Sequence, residues 1–426
     1  MSFASDGASV MMGENNGIAA RIAKNNPYLF ITHCIAHRLS LASENAYRQV
    51  DFCKKAEQIM KRCYKFFSKS SKRIDILRGY QEFLNKPEIK IRKIFDIRWL
   101  SCFEAVKNLC ITLESLLDTL VSTAMEVTNA QKRDSIIALY EELCNWKLLA
   151  FFHFLYDILG YIAKLSKIFQ ERYIRFSDID TTINATIQRI QYEYLEQNDE
   201  GNLKLGFNLN QFIQQTPPLS PSFMGTHQLI LTENCENELM ADIFRFASSV
   251  ILEIQKKFPD RPLLNAMQIL NPKEWPRNKE ELLKFGDVEL EELIRFYGKS
   301  YLPNYSIPII DSENIRNEWY FFKEIVYRNY QNFNIEEFFP HLFENYSTAY
   351  PNIMKLIEIV YSIPFSSVEC ERGFSKQNII KSDLRNRLSN NTLHLLLLIS
   401  LDDIQIQDFD FNQALTIWLK MRKRKV

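Results

Sequence analysis

The sequence predicts a mainly α-helical protein, and three observations support that prediction. Apolar residues recur every three or four positions through most of the chain, as they do on the buried face of a helix. Glycine, which destabilises helices, accounts for only 11 of the 426 residues. One short segment, 27–33 (PYLFITH), is rich enough in β-branched and aromatic residues to predict a strand. We therefore expect a helical array with very little sheet.

The elements can be placed in order along the chain. A short helix is expected over 15–26, before the strand, and one long amphipathic helix over 34–67. The helical pattern then returns over 99–124, 133–173, 177–197 and 235–258, and closes the chain over 350–403. Residues 198–227 combine proline with polar residues and have no clear period, which predicts a mobile loop.

Composition limits the classes of function. The chain has 52 basic and 52 acidic residues, so no long-range field attracts nucleic acid or anionic lipid, and such binding would need local patches. The apolar segments 148–163 and 393–401 are shorter than the roughly 20 residues that cross a bilayer, so we expect buried helices and no membrane partner. Eight cysteines without CxxC pairs, and no secretory signal, predict reduced thiols in the nucleus or the cytoplasm.

The closing segment carries a set of motifs in a fixed order. Tyr350 and Pro351 precede an apolar helix, FSSVEC follows, and then come ERGFS from Glu371 to Ser375 and LRNRLS over 384–389. This order resembles the C-terminal dimerisation region of hAT-family transposases. Four earlier patches resemble the same family in the same order: DGASVMMGENNGIAARI, CIAHRLSLA, RWLSCFEAV and FPDRPLLNAMQILNPKEWP.

The resemblance implies an architecture. A hAT transposase is similar in fold to ribonuclease H, with a helical domain inserted before the last catalytic helix. For this chain the resemblance implies three regions. They are a partial ribonuclease-H-like region over 1–103 that lacks most of its sheet, a helical insertion over 104–345 and the dimerisation region over 346–426. A homodimer is therefore the expected assembly, with DNA as a further partner and the nucleus as the expected location.

The resemblance also implies a chemistry. The family uses two aspartates and one glutamate to hold two divalent metal ions for phosphoryl transfer, since Mg²⁺ and Mn²⁺ prefer carboxylate oxygens. By motif, the second aspartate corresponds to Asp6 and the glutamate to Glu371. Only five residues precede Asp6, so the first aspartate has no place in this chain. The sequence is therefore expected to be truncated at its amino terminus, to bind no cofactor as it stands, and to need Mg²⁺ or Mn²⁺ only in a longer, active form.

These two carboxylates have structural alternatives. Asp6 precedes a glycine and is also typical of a turn or a helix N-cap. Glu371 falls in the first turn of a predicted helix, where acidic residues complement the helix dipole and form capping boxes.

The other family landmarks have alternatives as well. Cys34 and His37 match a CxxH patch and lie beside His33, but zinc requires more ligands than these, so a buried thiol and a hydrogen-bonded histidine explain them too. Arg372, Phe374 and Ser375 are further landmarks, all within ERGFS.

Nucleic-acid contacts are expected at two places. Arg98 and Trp99 match a family motif whose tryptophan stacks on a base extruded from the cleaved duplex; the alternative is a core tryptophan. The basic segment 61–73 offers Lys65, Lys69 and Arg73 to phosphates. A solvated helix face or a nuclear import signal explains the same charges.

Three functions follow from these observations. The leading hypothesis is a transposase-derived protein that acts through dimerisation and is catalytically inactive. The second is a fragment of an active transposase that cleaves and transfers DNA strands with divalent metal ions. The third is a nucleic-acid-binding module that uses the basic segment.

Overall fold

The computed structural model describes residues 2–94, 99–171, 176–197, 201, 203–259, 262–300, 307–330, 333, 335–402 and 405–421. The chain divides into two compact units, Met1–Ser366 and Ser367–Val426, which we call the amino-terminal and carboxyl-terminal units. The described residues are mainly helical and their strands form two sheets of two strands each, which confirms the predicted fold class. The regional boundaries at 103/104 and 345/346 stay predictions.

The amino-terminal unit begins with a β-α-α-β segment. Strand β1 (Ser2–Ser5) leads through helices α1 (Ser9–Met12) and α2 (Ile18–Asn25) to β2 (Phe30–His33), and the strands pair in parallel, with Ser2 opposite Phe30. The strand predicted at 27–33 and the helix at 15–26 are therefore present, whereas β1 was not predicted. Its sequence, SFAS, has no strand pattern of its own, and pairing with β2 gives it extended structure.

The far end of the same unit lies beside β2. The Thr32 hydroxyl donates to the carbonyl of Pro364 at 2.7 Å, and the Ile35 amide donates to the carbonyl of Phe365 at 3.0 Å. These bonds join segments that are more than 300 residues apart, as the 332-residue separation of Thr32 and Pro364 shows. They satisfy polar groups on β2 and the following turn that a two-stranded sheet alone leaves unpaired.

The predicted single helix over 34–67 is two helices. Helix α3 (Ile35–Arg48) ends at Gln49, and α4 (Asp51–Phe67) starts after Val50, whose backbone is extended. The Tyr47 hydroxyl donates to the carbonyl of Cys53 at 2.6 Å and holds the two helices at this break. The apolar period continues across the break, so periodicity alone did not reveal it.

Helices form the body of the unit. They are α5 (Ser71–Phe83), α6 (Trp99–Glu126), α7 (Ala130–Leu143), α8 (Trp146–Ile168), α9 (Phe176–Tyr194), α10 (Phe207–Gln215), α11 (Cys235–Lys257), α12 (Pro262–Ala266), α13 (Lys279–Lys284), α14 (Asp287–Tyr297), α15 (Asn314–Asn329), α16 (Ile335–Tyr346) and α17 (Pro351–Tyr361).

Helix α8 is the centre of this body. It is buried between α6, α7, α9, α10 and α11, and its side chains from Trp146 to Phe154 are almost all fully covered. By length and composition it is the one helix among the described residues that could cross a membrane. Its burial inside the unit is instead typical of a core helix, as the sequence predicts.

The segment over 198–227 is not the irregular loop that the sequence predicts. It contains α10 and the first strand of a short antiparallel hairpin, β3 (Phe223–Met224) and β4 (His227–Gln228). The carboxylate of Asp157, in the middle of α8, caps α10. It accepts bonds from the Asn208 amide (3.0 Å), the Asn208 side chain (2.6 Å) and the Leu209 amide (2.9 Å).

Two more contacts hold this segment on the helical body. The indole of Trp146 donates to the carbonyl of Thr216 at 2.7 Å. The buried ring of His227 donates from Nε2 to the Asp118 carboxylate at 3.1 Å and accepts the Tyr140 hydroxyl at Nδ1, at 3.2 Å. The segment gains its structure from polar groups on α6, α7 and α8, which a local sequence pattern does not reveal.

An aromatic cluster organises the last helices of the unit. The rings of Trp275 and Trp319 lie 5.5 Å apart, with Phe322 packed against both. Gly286 begins α14 with a φ of +74°, and a Cβ there would lie 2.5 Å from the Trp319 ring. Only glycine meets both requirements.

The start of α17 is fixed by a buried carboxylate. Glu318, on α15, accepts bonds from the amides of Asn352 (2.9 Å) and Ile353 (3.0 Å). It thus satisfies amides that have no partner within the helix.

Among its described residues, the carboxyl-terminal unit contains three α-helices. These are α18 (Val368–Ile380), α19 (Asn390–Leu401) and α20 (Phe411–Met421). Helices α18 and α19 pack together as a hairpin.

Replacing Asp157 tests the capping of α10. We expect Asp157→Ala to lower the free energy of unfolding by about 1–3 kcal/mol, because the Asn208 and Leu209 amides lose their acceptor in a buried place. Chemical denaturation followed by circular dichroism measures the change. Asp134→Ala removes an exposed aspartate of α7 and serves as the control. Equal effects of the two variants would contradict the proposed role of Asp157.

Candidate functional site

The turn between α18 and α19 is built by its own polar groups. A short 3-10 helix, Asp383–Arg385, carries the chain out of α18. Ser389 then caps α19, since its hydroxyl accepts the amide of Thr392 at 3.2 Å. The motif LRNRLS therefore spans the turn and the cap, which sets where α19 begins.

Helix α19 is apolar on every side, yet none of its side chains is buried. Leu393, Leu396 and Leu397 are half-buried. The opposite side exposes Leu395, Leu398 and Ile399, the last with 74% of its surface accessible. A helix that is apolar all round normally lies inside a protein.

Exposed apolar residues continue on the two neighbouring helices of the unit. On α18 they are Phe374 and Ile379, and on α20 they include Phe411, Leu415 and Trp418. Val368 alone is buried among the described residues of this unit. We call the exposed apolar residues of α18, α19 and α20 the carboxyl-terminal apolar surface. Exposed apolar residues that cluster in this way are typical of an interaction site.

Charge is sparse on α19 and α20, whereas α18 carries Glu369, Glu371, Arg372 and Lys376. Helix α19 contains no Asp, Glu, Lys or Arg, and Lys420 is the one charged residue of α20. On α18 the guanidinium of Arg372 pairs with Glu369 at 2.5 Å, one turn away. Depletion of charge is a mark of the buried part of protein interfaces.

The comparison with known families gives the surface a context. Residues 318–403 match the family model of the hAT family C-terminal dimerisation region. This match supports membership of the hAT family. It covers the chain from within α15 to the end of α19, and it starts earlier than the predicted start of the region at 346.

The predicted metal ligand Asp6 lies at the carboxyl end of β1. It is exposed, and its carboxylate accepts the Ala8 amide at 3.1 Å and the Ser5 hydroxyl at 3.2 Å. The Ala8 hydrogen bond, more than any other cause, lowers the pKa of Asp6, so the side chain is a carboxylate at neutral pH. This geometry is that of a turn aspartate, and it leaves carboxylate oxygen open to solvent.

Glu371, the other predicted ligand of the hAT metal site, lies in the first turn of α18. It is exposed, and its amide donates to the carbonyl of Ser367 at 3.1 Å. Asp6 belongs to the amino-terminal unit and Glu371 to the carboxyl-terminal unit, so their shared metal site stays a prediction.

The hAT landmark Cys34 immediately follows β2 and begins α3. Cys34 is buried, with its sulfur 3.9 Å from the Ser366 hydroxyl. His37 lies one turn on, its ring 5.5 Å from that of His33, and His33 Nε2 lies 3.0 Å from the carbonyl oxygen of Asp6. Burial lowers the pKa of His33, which favours the neutral ring.

Within the part of the chain that the structure describes, no group of three or more His, Cys, Asp or Glu side chains is arranged to hold a metal ion. Cys34 is buried at the end of β2 and His37 is half-buried. The role of this CxxH patch stays a prediction.

The basic segment 61–73 is largely engaged within the protein. Arg62 pairs with Glu142 at 2.5 Å and Lys72 with Glu126 at 2.8 Å. Arg73 donates to the carbonyl of Phe66 at 2.8 Å and lies 4.2 Å from the centre of its ring. Lys65 and Lys69 are exposed. Of the three predicted phosphate contacts, Arg73 thus has a structural role, and the two lysines alone are open to solvent.

The remaining predicted DNA contacts lie outside the described residues. Arg98 falls in the segment 95–98, and the Trp99 side chain is likewise not described, although α6 begins at Trp99 as predicted. The ERGFS landmarks Arg372, Phe374 and Ser375 lie on exposed positions of α18. Phe374 therefore contributes to the apolar surface.

Sequence reasoning missed the individual residues of the apolar surface. The sequence predicts a buried helix over 393–401, and this prediction is wrong, because none of the side chains of α19 is buried. A signal was present, because Leu395, Leu398 and Ile399 follow the three-and-four spacing of one helix face.

Proposed function

We propose that this transposase-derived protein acts by forming a homodimer through the carboxyl-terminal apolar surface. The observation that carries the proposal is the exposure of α19, an uncharged helix of leucine and isoleucine, inside the stretch that matches the hAT dimerisation region. Association of two copies removes these side chains from water, which favours the dimer through the hydrophobic effect.

A second copy fits the surface better than a membrane or a nucleic acid does. Helix α19 has 12 residues, too few for the roughly 20 of a membrane span. Helices that lie on membranes carry a polar face rich in Lys and Arg, and nucleic-acid sites need the same residues for phosphates. Helix α19 has neither residue.

The proposal includes catalytic inactivity. Divalent metal catalysis of phosphoryl transfer needs several carboxylates that converge on the ions. The hAT pattern assigns two carboxylates, Asp6 and Glu371, within these 426 residues. Residual DNA contact through Lys65 and Lys69 is compatible with a dimer, and the nucleus remains the proposed location.

Light scattering of the full chain tests the dimer. At micromolar concentration we expect twice the 50.3 kDa mass of one chain. In Ile399→Asp, a carboxylate is buried at the contact in both copies, so the dissociation constant should rise at least about tenfold, equal to about 1.4 kcal/mol.

Val288→Asp is the matched control for that experiment. Val288 lies on α14 and is 79% exposed, close to the 74% of Ile399, but it is remote from the carboxyl-terminal helices in sequence. The control should dimerise normally. A natural chain that stays monomeric up to high micromolar concentration would contradict the proposed function.

The second candidate function is that of a fragment of an active transposase. It is favoured by the parallel pair β1–β2, because parallel sheets are normally larger and covered on both faces. It is also favoured by the exposed carboxylate of Asp6 at the end of β1.

A strand-transfer assay separates the two candidates. With Mn²⁺ and labelled DNA, we expect no transfer product from the 426 residues, because the hAT pattern assigns only two carboxylates, Asp6 and Glu371, among them. Glu371→Gln is the matched variant. Product from the natural chain that disappears in Glu371→Gln would favour the transposase fragment.

A further inference from the structure

The carboxyl-terminal unit has helices but almost no core. Its apolar side chains are plentiful, yet Val368 is the single buried residue among those described. Folding costs backbone conformational entropy at every residue, and burial of apolar surface is the main contribution that offsets this cost. As a single copy, the unit buries little apolar surface.

The helices are also too short to be stable alone. Helix α18 has 13 residues, α19 has 12 and α20 has 11. Isolated helices shorter than about 12–15 residues are marginal in water, and most helical stability in proteins comes from packing of an apolar face. Helix α19 packs against α18 on one side, and its opposite side, with Leu395, Leu398 and Ile399, remains exposed.

Helix α8 provides the comparison within the same molecule. It is as apolar as α19, and its side chains from Trp146 to Ser166 are mostly buried by neighbouring helices of its own unit. Within one copy, neighbouring helices bury the apolar side chains of α8, whereas many apolar side chains of α19 remain exposed. The two helices differ in packing and not in apolar character, because both sequences favour an apolar helix.

Local interactions define the ends of the helices but stabilise them only weakly. The Ser389 cap at α19 is a single hydrogen bond from the Thr392 amide, at 3.2 Å. The exposed pair of Arg372 with Glu369 contributes little, since both side chains are about half accessible. These contributions fix where the helices begin and how they face, and they are far smaller than the entropy of ordering the unit.

We infer that folding of α18–α20 and association of two copies are a single coupled equilibrium. The inference rests on the proposed homodimer and adds its mechanism: the second copy supplies the core that one copy lacks. The unit is then unfolded in the monomer, and the concentration of the protein determines whether it is helical. Binding coupled to folding lowers the affinity that the contact area would otherwise give.

Hydrogen exchange of the full chain, followed by mass spectrometry, tests this inference. Exchange is measured for peptides within 390–401 and 411–421 over a dilution series, with the dimer fraction from light scattering at each concentration. Exchange in these peptides should be at least roughly tenfold faster in the monomer than in the dimer. Over the dilution series the exchange rate should therefore rise with the monomer fraction. Peptides within 146–168 of α8 should not change.

Two variants sharpen the test. Ile399→Asp should give the fast exchange over 390–421 even at concentrations where the natural chain is dimeric, and α8 should stay protected. Val288→Asp should behave as the natural chain. The dilution series needs no substitution, so it separates loss of association from any effect of the aspartate on α19 itself.

The outcomes distinguish this inference from the proposed function. If the chain dimerises but residues 390–401 stay equally protected in the monomer, coupled folding is overturned and the homodimer stands. If no dimer forms at any concentration, both are overturned. Dimer formation with concentration-dependent protection supports both.

Discussion

Every apolar helix in this protein needs a neighbour that removes it from water, and the two units meet that requirement differently. In the amino-terminal unit α8 is enclosed by five helices, and the surrounding elements are arranged about it. In the carboxyl-terminal unit α19 is equally apolar and remains accessible. The hydrophobic effect stabilises the first unit within one chain. For the second unit the same effect favours association.

Polar contacts determine details that apolar burial leaves open. Asp157 lies in the middle of α8 and is buried among the surrounding helices, which raises its pKa. The hydrogen bonds from Leu209 and Asn208 oppose that rise. Those bonds attach a segment that would otherwise be irregular. Glu318 plays the same part for α17, and Thr32 joins the start of the chain to Pro364. In each case a buried polar group obtains partners from a distant segment, because leaving it unpaired is costly.

These long-range partners explain how much could be predicted. Periodicity was sufficient for the helical class and for α6 beginning at Trp99, since both depend on local pattern. Periodicity did not predict the break between α3 and α4 at Gln49, because the apolar stripe continues across it. It also did not predict α10 within 198–227, because the cap of that helix comes from Asp157 on α8. Asp157 was visible only as an interruption in an apolar run. The leucines over 393–401 predicted a helix correctly but predicted its burial wrongly, because whether neighbours cover an apolar helix depends on tertiary packing that the local pattern does not contain.

Cross-linking between isotopically distinct copies tests the central claim most directly, namely that the exposed face of α19 lies against a second copy. A photoreactive benzoylphenylalanine replaces Leu395, which is 59% exposed, and equal amounts of ¹⁴N and ¹⁵N protein are mixed before illumination. We predict mixed-isotope cross-linked peptides in which both partners come from 368–421. Cross-links confined to single copies, with no mixed-isotope pairs at micromolar concentration, would contradict the account.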